Sequence, residues 1–291
     1  MERTYHIIGA CSCWGAQLRA CEGGPEDLAS GHVFERLKRT GVQLEIVEML
    51  YPAKQAKEES LPLSESLPLI QAFNLQLAQT VKEVVQKGAF PIVIGGDHSI
   101  AVGTWNGFEQ PFGLLWIDAH MDSHTPETTP SGAYHGMPLA ALLGEGAPEM
   151  AQLIRKKAVL QPKNVALIGI HSFEEEEESF LKHLNVKIYF LEEVKKRGLK
   201  TVIREALAHI CQGVSGYGVS LDLDAIHLQD APGVGSPVPD GLSKKELLQE
   251  LAKIGKDERL IGFELAEFNP QRDVHHKTRE TIFEILQEVM C

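Results

Sequence analysis

The sequence lacks any apolar run approaching the ~18 residues that a membrane-spanning helix needs. Its first residues, Met1 to His6, have no charged segment followed by an apolar stretch, so we expect no secretory signal. Cysteines are few, five in 291 residues. An odd number without an export signal favours reduced thiols in the cytosol. Cys11 and Cys13 have a spacing that suits metal or redox chemistry poorly, and we expect them simply to pack.

Basic residues are also scarce: 28 Lys and Arg stand against 40 Asp and Glu, a formal net charge of −12. Such an acidic surface argues against binding to the phosphates of nucleic acid. It is compatible with a small cationic substrate. The hydrophobic fraction of 43% and the charged fraction of 23% are those of an ordinary soluble protein. Because no change in composition divides the chain, we expect a single cytoplasmic domain spanning residues 1–291.

Short apolar runs recur along the chain and predict buried strands of a parallel sheet. The eight runs are 5–9, 44–49, 91–95, 113–117, 165–169, 187–190, 217–221 and 260–264. Helical patterns lie between many of them, including an apolar face of period 3.6 in 68–87. Ser243 and Glu246 form a capping box for a later helix, and a last helix is predicted over about 277–290. Alternating strands and helices indicate βαβ units and an α/β fold.

Two other segments are expected to lie at the surface. Residues 51–67 contain prolines and charged residues and are typical of a surface connection. Residues 174–178 are five consecutive glutamates. They are read either as the solvated first turn of a helix, favoured by the helix dipole, or as a source of a carboxylate facing the site.

Three polar clusters follow predicted strands directly: Gly95-Gly96-Asp97-His98, Asp118-Ala119-His120-Met121-Asp122 and Asp222-Leu223-Asp224. In open α/β sheets ligands bind beyond the carboxyl ends of the strands. We therefore expect these clusters to converge at one edge of the sheet.

Besides Asp97, the clusters supply two histidines and four aspartates, enough for two divalent cations. Period-two spacing would place Asp118, His120 and Asp122 on one side of an extended segment. Asp222 and Asp224 repeat that spacing, while glycines allow the backbone to bend before His98. Carboxylate-rich ligation with two imidazoles suits Mn²⁺ best, with Zn²⁺, Co²⁺ and Fe²⁺ possible. Two such metals can activate a water at neutral pH, so the residues indicate a two-metal hydrolase.

The three clusters, in this order, resemble the signatures of the ureohydrolases, a family that includes arginase, agmatinase, guanidinobutyrase and formiminoglutamase. The matching residues are Gly-Gly-Asp-His-Ser at 95–99, Asp-Ala-His-Met-Asp at 118–122 and Ser-Leu-Asp-Leu-Asp at 220–224. Segments 21–25, 230–237 and 267–270 also resemble that family. The resemblance therefore covers nearly the whole chain.

The resemblance implies a three-layer α/β/α fold with a mainly parallel sheet of about eight strands, and a bridged centre of two Mn²⁺. One metal would take His98, Asp118, Asp122 and Asp222. The other would take Asp118, His120, Asp222 and Asp224. Asp118 and Asp222 would bridge, and Asp122 would accept a hydrogen bond from a bridging hydroxide.

The resemblance also assigns roles near the substrate. His135 would relay a proton to the leaving amine, and Glu267 would pair with the guanidinium. The candidate substrate contacts are His124, Ser131, Glu174 and Ser236. His124 and Ala133 stand where arginases use asparagines, which predicts altered recognition of the far end of the substrate.

These features predict an arginase that hydrolyses arginine to urea and ornithine through attack by a metal-bridging hydroxide. Agmatinase, guanidinobutyrase or formiminoglutamase activity is the alternative. A non-catalytic scaffold is a further hypothesis, but no metal ligand is missing. The family also implies a homo-oligomer, a trimer or a hexamer.

Overall fold

The computed structural model describes residues 3–18, 20–53, 63–155 and 157–291. A sheet of eight parallel strands runs through this part of the chain in the order β2-β1-β3-β8-β7-β4-β5-β6. The strands are β1 Tyr5–Ala10, β2 Leu44–Leu50, β3 Phe90–Gly95, β4 Gly113–Ile117, β5 Val165–Ile170, β6 Lys187–Phe190, β7 Tyr217–Asp222 and β8 Leu260–Ala266. The predicted strands are confirmed, each to within two residues at either end.

Eleven α-helices accompany the sheet in the described ranges. They are α1 Gly24–Ser30, α2 Val33–Arg39, α3 Leu63–Gln86, α4 Ala101–Asn106, α5 Pro138–Leu142, α6 Pro148–Ala151, α7 Glu175–His183, α8 Leu191–Arg197, α9 Leu199–Ile210, α10 Lys244–Gly255 and α11 Lys277–Met290. None of these helices is both long and apolar enough to cross a lipid bilayer.

The helices cover both faces of the sheet and make the fold three layers deep. Side chains of α1, α2 and α8 to α11 join one apolar core, while those of α3, α4, α5 and α7 join another. Successive strand residues point to opposite faces. In β3, Ile92 belongs to the first core and Val93 to the second. This two-sided burial explains why the strands are continuously apolar rather than alternating.

One helix starts earlier than predicted, and another has a cap that the residue before it does not reveal. Helix α3 begins at Leu63, so 63–67 are helical rather than part of a surface connection. Residues 54–62 of that connection lie outside the described ranges. Pro68 lies in the second turn of α3, and Leu67 and Leu69 beside it pack against a small apolar cluster, which favours a helix through the proline. Helix α11 receives a cap: Asp273 accepts hydrogen bonds from the backbone of Thr278 and Arg279 at 2.8 and 3.1 Å.

The strand order explains where a site can form. Strands β3, β8, β7 and β4 are consecutive neighbours in the sheet. Parallel strands end at the same edge, so the segments that follow these four must meet there. The three predicted clusters follow β3, β4 and β7, and Glu267 follows β8.

Candidate metal centre and active site

The six predicted metal ligands come together at this edge. His98 is buried, and its Nδ1 lies 3.2 Å from Asp118 Oδ2, 3.0 Å from Asp122 Oδ2 and 3.2 Å from Asp222 Oδ2. These four residues offer ligand atoms close enough together to hold one cation. The group combines residues that follow three different strands, so the sheet itself positions it.

A second group adjoins the first and shares Asp118 with it. Asp118, His120 and Asp224 also offer atoms close enough for one cation. His120 Nδ1 lies 3.0 Å from Asp224 Oδ2 and 3.7 Å from Asp118 Oδ1. Two neighbouring groups joined by one carboxylate are the arrangement that a pair of divalent cations requires.

The local backbone differs from the extended segment predicted from period-two spacing. Asp118 Oδ1 accepts the backbone N–H of His120 at 2.7 Å, and Asp222 Oδ1 accepts that of Asp224 at 2.9 Å. Asp122 has a φ of 48° and lies in the left-handed region. Short turns closed by aspartate side chains, and one unfavourable backbone angle, therefore direct the ligands. The ligand side chains therefore converge as expected. They do so through these turns and not because they alternate along an extended segment.

The second ring nitrogen of His98, Nε2, is fixed by a hydrogen bond on the side away from the three aspartate carboxylates. It lies 2.9 Å from Ser220 Oγ, and that hydroxyl donates to Glu264 Oε1 at 2.7 Å. The imidazole stacks on Trp116 with ring centroids 4.2 Å apart. Trp116 also donates to Asp118 Oδ2 at 2.9 Å. Such partners fix the ring so that Nδ1 faces the carboxylates.

Without bound cations, the buried carboxylates of this cluster repel one another. Burial, and then the charge of Asp118, raises the pKa of Asp122 to about 7 and that of Asp222 to about 6. Burial and the charge of Asp222 raise the pKa of Asp224 well above its usual value. Burial alone would also raise the pKa of Asp118, but its histidine partners outweigh that effect and lower it. Four buried carboxylates with two imidazoles favour bound positive charge.

One buried atom tests directly whether a metal fits. His98 Nδ1 is fully buried and makes no hydrogen bond of acceptable geometry, although three carboxylate oxygens lie within 3.2 Å. Buried polar nitrogens are rarely left without a partner. A cation at this position would be ligated by Nδ1 together with these oxygens, so the residues fit a divalent cation of oxygen and nitrogen preference.

His135 and Glu267 form a pair beside the metal ligands. His135 Nδ1 lies 2.9 Å from Glu267 Oε1, which also accepts the backbone N–H of His98 at 3.0 Å. Burial would lower the pKa of His135, but Glu267 outweighs it and raises that pKa to about 9. His135 Nδ1 is therefore committed to Glu267. The predicted pairing of Glu267 with a guanidinium stays a prediction, because these contacts of its carboxylate are with groups of the protein itself.

A cavity of about 120 Å³ opens onto the pair and the metal ligands. Its described lining includes the candidate substrate contacts His124, Glu174 and Ser236. His124 lies 3.0 Å from Glu174 Oε2 and 3.4 Å from Glu177 Oε2. No lysine or arginine is among the described residues that line this cavity. The far end of the cavity is thus acidic.

Ser131 does not lie where the sequence analysis expects a substrate contact. It is exposed, and the described lining of the cavity does not include it. Its hydroxyl accepts the backbone N–H of Ala133 at 3.1 Å, which closes a local turn. Of the two interpretations of the glutamate run, a carboxylate facing the site applies to Glu174 and Glu177, which line the cavity. The same two residues form the capping box of α7.

A larger cavity, about 470 Å³, contains none of these residues. It lies at the opposite, amino-terminal end of the strands, next to Phe90 and Gly216, and its lining is mostly apolar. Although this cavity is the larger of the two, its lining lacks the candidate catalytic residues, so we do not assign it as the active site. The smaller cavity holds the histidines and carboxylates that chemistry needs.

Comparison with known proteins agrees with this geometry. The model of the arginase family matches residues 3–291. The chain belongs to the arginase family. It is 37% identical to an arginase of Bacillus caldovelox over 277 residues, covering 94% of this chain and 93% of that one. It is 35% identical to an arginase of Bacillus subtilis strain 168, covering 100% and 98%.

The fold agrees as well. The crystal structure of arginase from Bacillus subtilis superposes with a TM-score of 0.91 at 34% identity, covering 99% of this chain and 98% of that one. The expected three-layer, parallel α/β fold is confirmed. Membership of the arginase family makes the protein a ureohydrolase, an enzyme that acts on a guanidino C–N bond.

Sequence reasoning missed three residues that the structure places at the site. Glu177 lies three positions after Glu174, the spacing of a reciprocal helix cap, and that spacing could have identified it. Ser220 was seen only as part of a family signature, yet it contacts His98. Cys21 donates to Glu267 Oε2 at 3.2 Å. No local pattern signals that contact, because 246 residues separate the partners.

Proposed function

We propose that this arginase-family protein is a binuclear manganese arginase that hydrolyses L-arginine to L-ornithine and urea. One observation supports the proposal most: two His–carboxylate groups share Asp118 and border the same cavity as the His135–Glu267 pair. Relatives that are called arginases, at 35–37% identity over nearly the whole chain, support it as well.

The proposed ligands of one Mn²⁺ are His98, Asp118, Asp122 and Asp222, and those of the other are Asp118, His120, Asp222 and Asp224. When bound, two Mn²⁺ supply Lewis acidity that makes water a nucleophile near neutral pH. Asp222 would contribute to both sets, because its Oδ2 lies 3.2 Å from His98 Nδ1 while its Oδ1 accepts the backbone N–H of Asp224 at 2.9 Å.

The protein's own residues then handle substrate and protons. Hydrolysis breaks the bond between the guanidino carbon and the side-chain nitrogen, and that leaving amine must gain a proton. With Nδ1 committed to Glu267, His135 can deliver the proton from Nε2. Its raised pKa, about 9, keeps it protonated at neutral pH. Asp122 is proposed to accept a hydrogen bond from the attacking nucleophile, and Glu267 to attract the cationic guanidinium.

The acidic far end of the cavity favours a second candidate, hydrolysis of agmatine. Agmatine has the same guanidinium as arginine but no α-carboxylate. Glu174 and Glu177 suit an ammonium group at that end, whereas Ser131 lies off the cavity. An α-carboxylate would therefore find few donors. Because a hydrogen bond to a charged group contributes about 1.5–3 kcal/mol, we expect arginine to bind with a raised KM.

A substrate panel tests the proposal. Mn²⁺-loaded protein is incubated with L-arginine, agmatine, 4-guanidinobutyrate and formiminoglutamate, and the products urea and formamide are measured. The expected result is the highest kcat/KM for arginine. A tenfold preference for agmatine or guanidinobutyrate would leave the ureohydrolase class intact and exclude the arginase assignment.

The proposal also covers where the enzyme acts and how its chains assemble. We infer that the enzyme acts in the cytoplasm and forms a trimer or a hexamer. Light scattering of the purified protein measures the assembly directly, and a monomer would contradict it.

A further inference from the structure

The thiol of Cys21 lies directly against the Glu267 carboxylate. Cys21 begins a short 3₁₀ turn, Cys21–Gly23, and its side chain is fully buried. Its Sγ lies 3.2 Å from Glu267 Oε2 and donates to it. The opposite oxygen, Oε1, faces His135 Nδ1 at 2.9 Å. The same carboxylate therefore contacts a thiol on one side and the candidate proton donor on the other.

The protonation state of Cys21 suits a hydrogen bond from sulfur to oxygen. A hydrogen bond with the Cys13 thiol, followed by burial and the charge of Glu267, raises the pKa of Cys21 well above its usual value. The thiol therefore keeps its proton and donates it to Glu267 Oε2, 3.2 Å away.

The backbone around Glu267 leaves the carboxylate little freedom. Glu267 has a φ of 67°, in the left-handed region, and its N–H donates to Gly96 O at 2.8 Å. At Gly235 a Cβ atom would collide with Glu267 Oε2. The carboxylate therefore occupies a narrow slot between Gly235 and Cys21. Its plane can direct Oε1 to His135 when Oε2 turns toward the thiol.

We infer that Cys21 is a positioning residue that holds Glu267 Oε2 through its S–H and so fixes Oε1 on His135 Nδ1. The inference rests on the proposed role of His135 in hydrolysis. It assigns a function to a fully buried cysteine that is outside the described metal groups and the described lining of the cavity. Outer hydrogen-bond partners of metal ligands typically contribute about 10–100-fold to activity, and we expect this positioning contact to act on a similar scale. A thiol is a weak donor, so the lower end of that range applies.

Matched variants separate the hydrogen bond from packing. Cys21→Val keeps the apolar volume and removes the donor, and we expect kcat to fall roughly tenfold with KM and manganese content unchanged. Cys21→Ser keeps a donor and should recover most of kcat. Cys11→Val removes another buried thiol, which contacts Gly9 O at 3.8 Å, and should behave like the parent enzyme.

Two measurements decide the inference without activity. The S–H stretching band of Cys21 in the infrared spectrum of the Mn²⁺-loaded enzyme, assigned by its loss in Cys21→Val, should lie at low frequency and move upward in Glu267→Gln. A crystal structure of loaded Cys21→Val should show Glu267 Oε1 turned away from His135 Nδ1. An S–H band at the free-thiol frequency, or a Cys21→Val enzyme with unchanged kcat and an unchanged pair, would overturn the inference. Failure to hydrolyse any guanidino substrate would instead overturn the proposed function, while the band and the crystal structure would still test the positioning.

Discussion

At the scale of single residues, His135 separates proton transfer from metal binding. It borders the cavity, yet it is not among the residues that could hold a cation in the described part of the chain. Its partner, Glu267, raises its pKa to about 9 and occupies its Nδ1. A change at His135 can therefore alter the chemistry without removing a ligand from the metal centre.

Replacing His135 with alanine should lower kcat by about 10²–10⁴, the usual contribution of a general acid or base. Manganese content should not change, because the six proposed ligands are intact. The measurements are steady-state kinetics and elemental analysis of the same preparation. His183→Ala, at an exposed histidine of α7, is the matched control and should keep full activity. A His135→Ala enzyme with the parent kcat would make this histidine a bystander.

At the scale of secondary-structure elements, the sequence predicts strands better than the turns that follow them. Strands covered on both faces have a continuous apolar pattern that is visible locally. The left-handed φ of Asp122 and Glu267 is not visible, because non-glycine residues adopt it only when distant contacts hold them there. The location of the candidate site could be predicted from strand ends, whereas the direction of each side chain needed the folded backbone.

Helix ends are also hard to predict from the sequence when the capping residue is not directly before the helix. No capping residue precedes α11 at the usual position, and its N-cap, His276, makes no capping hydrogen bond through its side chain. Asp273 does this instead from farther back, at 2.8 Å to the N–H of Thr278 and 3.1 Å to that of Arg279. The cap depends on an irregular turn between these residues, and a search for a residue directly before the helix misses it.

Asp273→Ala should therefore lower the free energy of unfolding by about 1 kcal/mol, within the usual range for losing a helix cap. Asp273→Asn keeps an oxygen acceptor and should lose only part of that. Urea denaturation of the metal-free protein measures both changes. Equal midpoints for the alanine variant and the parent would show that the backbone of α11 is satisfied in another way.

At the scale of the whole molecule, four neighbouring strands bring acidic side chains together at one edge. The chain has a formal charge of −12, and four of its carboxylates are buried within two groups that share one aspartate. Folding without cations must therefore bury charges that repel one another, a cost that bound metal removes. The stability of the fold and the occupancy of the site should be linked, since a ligand that binds only the folded state stabilises it.

Asp224 allows that link to be tested, because the same substitution should act in opposite directions with and without metal. Burial and the charge of Asp222 disfavour an ionised Asp224 in the metal-free protein. Asp224→Asn removes that charge and should raise the Tm of the metal-free protein. It also removes a proposed ligand, so added Mn²⁺ should raise Tm less than in the parent. At a free metal concentration of one hundred times Kd, binding stabilises the folded state by about 2.7 kcal/mol.

Scanning calorimetry with and without Mn²⁺ measures both effects, and Asp240→Asn, at an exposed aspartate, is the control. If Asp224→Asn keeps the full manganese response of the parent, Asp224 is not a ligand and the proposed second metal site must be rebuilt from other residues.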